Sequence, residues 1–156
     1  MALVKWRAPR AREFTVIVAG DFCPRECNWP RVAEHASEIV GEIKPEFDAS
    51  DLRILQWECA VTDRGEPITK SGPNLRCGEP TLNFATALGI DVALLANNHT
   101  GDYGPAGVTD TIAAIRKRGI ATVGAGADPE EAAKPLFLEH GGVRIAILNF
   151  CENEFG

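Results

Sequence analysis

No two cysteines of this 156-residue chain are spaced C-x-x-C. The five present, Cys23, Cys27, Cys59, Cys77 and Cys151, are an odd number, which speaks against a structural zinc site. Several lie in or beside apolar runs and read as free buried thiols, so a reducing, cytoplasmic compartment is expected. Long apolar runs are missing too. None approaches the roughly 18 residues of a membrane span, and Ala2-Leu3-Val4 is too short for the apolar core of a signal peptide. An excess of positive charge is also lacking: 16 Lys and Arg stand against 22 Asp and Glu, a formal net charge of -6. This argues against a nucleic-acid partner. There is neither an internal repeat nor a low-complexity segment. What remains is an ordinary globular composition, 45% hydrophobic and 24% charged, long enough for one domain with a real core.

The stretch Asp91 to Gly104 organises what is present. Val92 to Ala96 is an unbroken apolar run, as for a strand buried on both faces. It stops abruptly at Asn97, Asn98, His99 and Asp102, and Gly104-Pro105 then opens a helix. Ligands of open α/β sheets gather beyond the carboxyl ends of the strands, so a polar cluster here is a candidate site.

Two further strands end in carboxylates. Phe14 to Ala19 is closed by Gly20-Asp21, and Leu52 to Trp57 by Glu58. Between them the pattern predicts a helix from Pro30 to Lys44, with His35 exposed among Glu34 and Glu38. Residues 59–80, rich in Gly and Pro and carrying Lys70 and Arg76, read as a long loop. A short helix from Thr81 to Leu88, a helix from Pro105 to Arg118 and a strand from Ile120 to Val123 follow. Asp128 starts a short helix, and residues 135–150 form a hairpin turning at His140-Gly141-Gly142. Residues 1–13 form a flexible basic arm. Alternating strands and helices imply an α/β domain with a largely parallel sheet over residues 14–156.

Parallel strands bring their carboxyl ends to one rim. Asp21, Glu58, Asn98 and His99 can therefore converge although they lie tens of residues apart. Close carboxylates need a cation or a proton between them. Oxygen ligands with an imidazole suit Mn, Fe, Zn or Mg. A bound ion would make a nucleophile of its water, and His99 could protonate a leaving group. Plainer readings stand beside these. Asp21 also reads as a turn or cap residue, and Glu58 as the partner of Arg76 or Lys70. Gly124-Ala125-Gly126 reads either as a tight turn or as an incomplete nucleotide fingerprint.

Gly20-Asp21, Trp57-Glu58, Ala96-Asn97-Asn98-His99-Thr100, Asp102-Tyr103-Gly104 and Val123-Gly124-Ala125-Gly126 resemble the N-terminal half of the CapA family of poly-γ-glutamate capsule synthesis. The fold of that family resembles the metallophosphoesterases. The resemblance implies an α/β/β/α sandwich of two sheets flanked by helices, of which this chain holds the N-terminal portion. It implies Asp21, Glu58 and Asn98 as ligands of one or two divalent metal ions, and His99 as the proton donor. Lys70, Arg76, Asn97 and Asp102 would bind substrate, and Glu152 and Glu154 stand where further ligands are expected. Asp21-Phe22-Cys23 departs from the Asp-x-His usual in metallophosphoesterases. Two functions are compatible with the likeness. One is a metal-dependent hydrolase acting on a phosphoester or an acidic polymer. The other is a non-catalytic polymer-binding or assembly component. Self-association, or a missing C-terminal half, is a further expectation, since an incomplete second sheet would leave open edges.

Overall fold

The computed structural model describes residues 14–25, 28–140 and 142–152. The expected basic arm, Cys27 and Glu154 lie outside the described residues. The chain runs β1 (Val16–Phe22), α1 (Trp29–Glu34), α2 (Ala36–Ile39), α3 (Lys44–Asp48), β2 (Leu52–Trp57), β3 (Ala60–Val61) and β4 (Arg76–Cys77). A 3-10 turn (Glu79–Leu82) leads into α4 (Asn83–Leu88), then β5 (Val92–Leu94), α5 (Gly104–Lys117), β6 (Ala121–Val123), α6 (Pro129–Ala132), β7 (Leu136–His140) and β8 (Val143–Ile147).

Four strands form one parallel sheet in the order β1-β2-β5-β6. Its two faces follow from the alternation of side chains along each strand. Leu55, Trp57, Ala93 and Leu95 face the helices and join Val40, Phe47, Leu82, Leu88, Ile112 and Ile115 in the larger core. Leu52, Ile54, Val92 and Val123 face the other way, where Leu136, Leu138, Ile145 and Ile147 of the antiparallel β7–β8 hairpin pack on them. The result is a helix layer, a parallel sheet and a small second sheet. This is the mixed α/β architecture expected of a metallophosphoesterase-like domain, in partial form. Val16 and Val18 of edge strand β1 stay 40% and 65% exposed, because the hairpin does not cover them.

The single helix expected over residues 30–44 is broken into α1 and α2, and α3 follows directly. His35 leaves helical geometry (φ -116°, ψ 24°). Gly41 is a poor helix former, and Pro45 has no N–H to continue an earlier turn but suits the start of a new one. His35 is exposed and faces Glu38 at 3.3 Å, as its neighbours suggested. His140 is not a turn residue: it closes β7 and lies 3.5 Å from Asp51. The loop 59–80 contains two short parallel strands, β3 and β4. Gly89, at φ 74°, ends α4 in the left-handed conformation that favours glycine. Asp128 caps α6, its Oδ1 accepting from the Glu131 amide at 2.7 Å.

Two polar ties fix the frame. Asp91 accepts from the Arg53 amide, Nε and Nη2 at 2.8–3.0 Å, joining the start of β5 to β2. Asp110 of α5 accepts from Thr62 Oγ1 at 2.6 Å and from Nε and Nη2 of the Arg64 guanidinium, holding the beginning of the long loop. The Arg64 hydrogen bonds, and then that of Thr62, keep the Asp110 carboxyl below its ordinary value of 3.8. Its contribution to stability is therefore complete above that value and disappears as pH falls through the lowered folded value. Asp110→Asn should lower Tm by about 2–4 °C at pH 7, and the difference from the parent should shrink in thermal melts as pH falls through the lowered folded value. Leu95 is fully buried just before the polar cluster. Leu95→Ala should cost about 2–5 kcal/mol in urea unfolding.

Candidate functional site

The rim of the sheet collects the polar residues. The register pairs Asp21 with Gln56 and Phe22 with Trp57, so Asp21 and Glu58 follow neighbouring strands to the same edge. A bulge between Ala19 and Asp21 is invisible in the sequence pattern alone; it leaves Gly20 as the extra residue of β1.

 Beyond the Ala19–Leu55 pair the register is shifted by one position, which sets the facing of Asp21, an exposed side chain. β5 lies on the other side of β2, with Leu94 opposite Gln56, so Asn97, Asn98 and His99 leave the sheet at the same edge.

Asn97 holds the turn after β5. Its Nδ2 donates to the Trp57 carbonyl at 2.9 Å, and its Oδ1 accepts from the His99 and Thr100 amides at 2.9 and 3.0 Å. Thr100 Oγ1 donates back to the Leu95 carbonyl. The amide side chain is thus spent on backbone groups, an Asx-type turn that binds the ends of β2 and β5 together. Asn98 is exposed, and its carbonyl accepts from Lys70 Nζ at 3.4 Å.

His99 is fixed through its Nδ1, which lies 2.8 Å from Asp102 Oδ2. With Nδ1 carrying the proton toward that carboxylate, Nε2 is the nitrogen left for chemistry. Nε2 faces Glu58 Oε1 at 3.8 Å, within range of an ion pair when the ring is protonated. Asp102 is itself fully buried and paired with Lys70, whose side chain is 1% exposed and donates to Oδ1. The Leu75 amide donates to Oδ2 at 2.6 Å, and the Asp102 carbonyl accepts from the Ile68 amide at 2.9 Å. One carboxylate therefore pins the long loop and orients the imidazole.

Lys70 and Arg76, both expected to meet an anion, lie in different surroundings. Lys70 is held against Asp102, whereas Arg76 stands with its guanidinium carbon 5.0 Å from the centre of the Tyr103 ring and lines a groove. Glu152 is exposed beyond β8. Glu58 faces His99. Asn149 was not singled out by the sequence pattern, yet its Oδ1 accepts from the Ala96 amide at 2.6 Å. A Cβ on Gly124, where φ is 92°, would come within 2.3 Å of that oxygen. The glycine is thus required by the close approach of Asn149 to the end of β5, and a nucleotide is not needed to explain it. A polar residue directly after the apolar β8 was the one signal available for Asn149.

Three of the thiols, Cys23, Cys59 and Cys77, lie near one another. Cys59 and Cys77 are buried, Cys23 is half-buried and Cys151 is exposed. Hydrogen bonding from Cys59 holds the Cys23 thiol below its ordinary range, and the contacts with Cys23 and then Cys77 push Cys59 up.

The donor set for a metal is short. Glu58 and His99 Nε2 are close, and Asp21 ends the adjacent strand. Among the described residues, however, no three His, Cys, Asp or Glu side chains are placed to hold an ion. The side chains present do not by themselves fit a metal centre.

Among known proteins, the family model described as "Bacterial capsule synthesis protein PGA_cap" matches residues 15–155. A probable polyglutamine synthesis accessory protein of Mycobacterium tuberculosis is 36% identical over 103 residues, 66% of this chain and 27% of that protein. The capsule biosynthesis protein CapA of Bacillus anthracis is 35% identical over 79 residues, 51% of this chain and 19% of the relative. The PGA biosynthesis protein CapA of Bacillus subtilis is 29% identical over 119 residues, 75% and 31% of the two chains. The matched part thus spans less than a third of each of these relatives.

Breaking the buried pair from one side should be costly. Lys70→Met should destabilise by about 3–5 kcal/mol, because it strands the Asp102 carboxylate. Lys70→Met with Asp102→Leu should recover part of that loss in a double-mutant cycle followed by urea unfolding. Additive losses would show that the pair is not coupled.

Proposed function

Because the chain belongs to the PGA_cap family of bacterial capsule synthesis proteins, we propose that it carries the acid–base part of a site that hydrolyses an amide or phosphoester bond of an acidic capsule polymer. The supporting observation is the clamp on His99. A buried, charge-paired carboxylate fixes Nδ1 and leaves Nε2 at the rim of the sheet, opposite Glu58. A base oriented by a third group is the recurring arrangement of proton-transfer sites.

In this reading the Nε2 proton goes to the leaving atom as its bond to carbon or phosphorus breaks. The Glu58 carboxylate takes a proton from the attacking water. Asp102 keeps the ring in one tautomer throughout, and Asn97 keeps the turn that presents it. The polymer class is drawn from the names of the relatives, one of which is a PGA biosynthesis protein. Divalent metal remains part of the proposal: it would take Asp21, Glu58 and Asn98 as this chain's contribution and would supply an activated water, leaving His99 Nε2 its proton. None of the steps above depends on it.

A second reading is favoured by the word "accessory" in the name of the mycobacterial relative and by the short donor set. There the chain binds the polymer, or helps its assembly, without turnover.

Poly-γ-glutamate incubated with the purified chain, with and without added Mn, Fe, Zn or Mg, separates the two readings. Chain length is followed by size-exclusion chromatography and new amines by a fluorogenic label. His99→Gln should reduce cleavage by about 10²–10⁴-fold, the usual worth of a proton donor, while leaving polymer binding in place. Equal cleavage by His99→Gln and the parent would sink the acid–base reading. Polymer that is bound but never shortened would favour the accessory one.

A further inference from the structure

Beside the rim lies a groove of about 370 Å³ between the segment after β1 and the segment leading into β4. Arg25 lines it from the first segment and Arg76 from the second, and among the described residues no Asp or Glu is in its lining. Among the described residues neither guanidinium is paired with a carboxylate. In a chain of net charge -6, this is a local concentration of uncompensated positive charge. Stacking on Tyr103 positions the Arg76 guanidinium without using up its donors.

Both walls connect to the site. Cys23, on the Arg25 side, lies close enough to Glu58 for the carboxylate to act on its thiol. Leu75, beside Arg76, donates its amide to the Asp102 oxygen that faces His99. A chain lying in the groove would therefore run directly to the Glu58–His99 pair.

We propose that Arg25 and Arg76 form a subsite for carboxylates of an acidic peptide-like polymer, one or more units away from the bond that faces His99. The choice of ligand rests on the functional reading above; the groove and its charge do not. Guanidinium forks match carboxylates in bidentate geometry, which an ammonium does not. Two of them across one groove suit a ligand with repeated carboxylates.

The probe is a fluorescein-labelled γ-linked glutamate decamer titrated with the full chain, read as anisotropy at low salt. Arg25→Gln and Arg76→Gln should each weaken binding about tenfold, a change equivalent to about 1.4 kcal/mol. Arg25→Lys should recover only part of the loss, and the double Gln variant should bind no better than its level at high salt. Lys134→Glu should bind as the parent does. Arg25 is exposed and Arg76 half-buried, so circular dichroism melts should show both single variants folded. Inorganic phosphate competing as well as the decamer would overturn the polymer assignment. Parent-like binding by the double variant, or no binding by the parent, would overturn the subsite. Binding lost in the arginine variants with no cleavage by any form would leave the subsite standing and remove the acid–base reading.

Discussion

The pair between Lys70 and Asp102 is the contact on which the rest of the rim depends. Both side chains are out of water, one donating to the other, in a place where either alone would be a costly isolated charge. Asp102 has enough acceptor capacity to serve three donors at once: Lys70, the Leu75 amide and the His99 ring. A loop of Gly and Pro, with little regular structure of its own, is thereby fixed to the start of α5. The same interaction holds the imidazole at the edge of the sheet, so loop order and ring orientation stand or fall together.

The backbone around this pair is built with the same economy. Asn97 spends its whole amide on three backbone groups and so joins the ends of β2 and β5. Asn149 reaches in from beyond the hairpin to the Ala96 amide, and Gly124 leaves room for it. Residues from four separated stretches thus converge on one short turn. The buried carboxylate and the spent amides act as scaffold, while Glu58 and Nε2 of His99 are the groups with capacity left. The rim and the arginine groove share walls through Cys23 and Leu75.

Much of this was legible in the order of residues. Apolar runs ending in Asp21, Glu58 and Asn97-Asn98-His99 indicated parallel strands with a polar rim, because a strand buried on both faces must be apolar along its length. The glycine after α4 and the aspartate before α6 announced their turns. The N-terminal helix was overextended, because periodicity measures which face is buried and not whether the backbone is continuous. Val32, Ala36 and Val40 keep their four-residue spacing toward the core although the helix breaks at His35. The pairing of β3 with β4 could not be read, since two residues are too few to show a period.

By itself the sequence determined the fold class, the family and the edge at which polar groups gather, since hydrophobic patterning and local motifs are properties of neighbours along the chain. The tertiary structure alone decided what each polar residue does. It turned Lys70 inward to Asp102 and left Arg76 at a groove with Arg25, two outcomes that the same basic loop could not distinguish. The physical reason is that the role of a charge is set by its burial and its nearest partner, and both are fixed only when distant segments pack together.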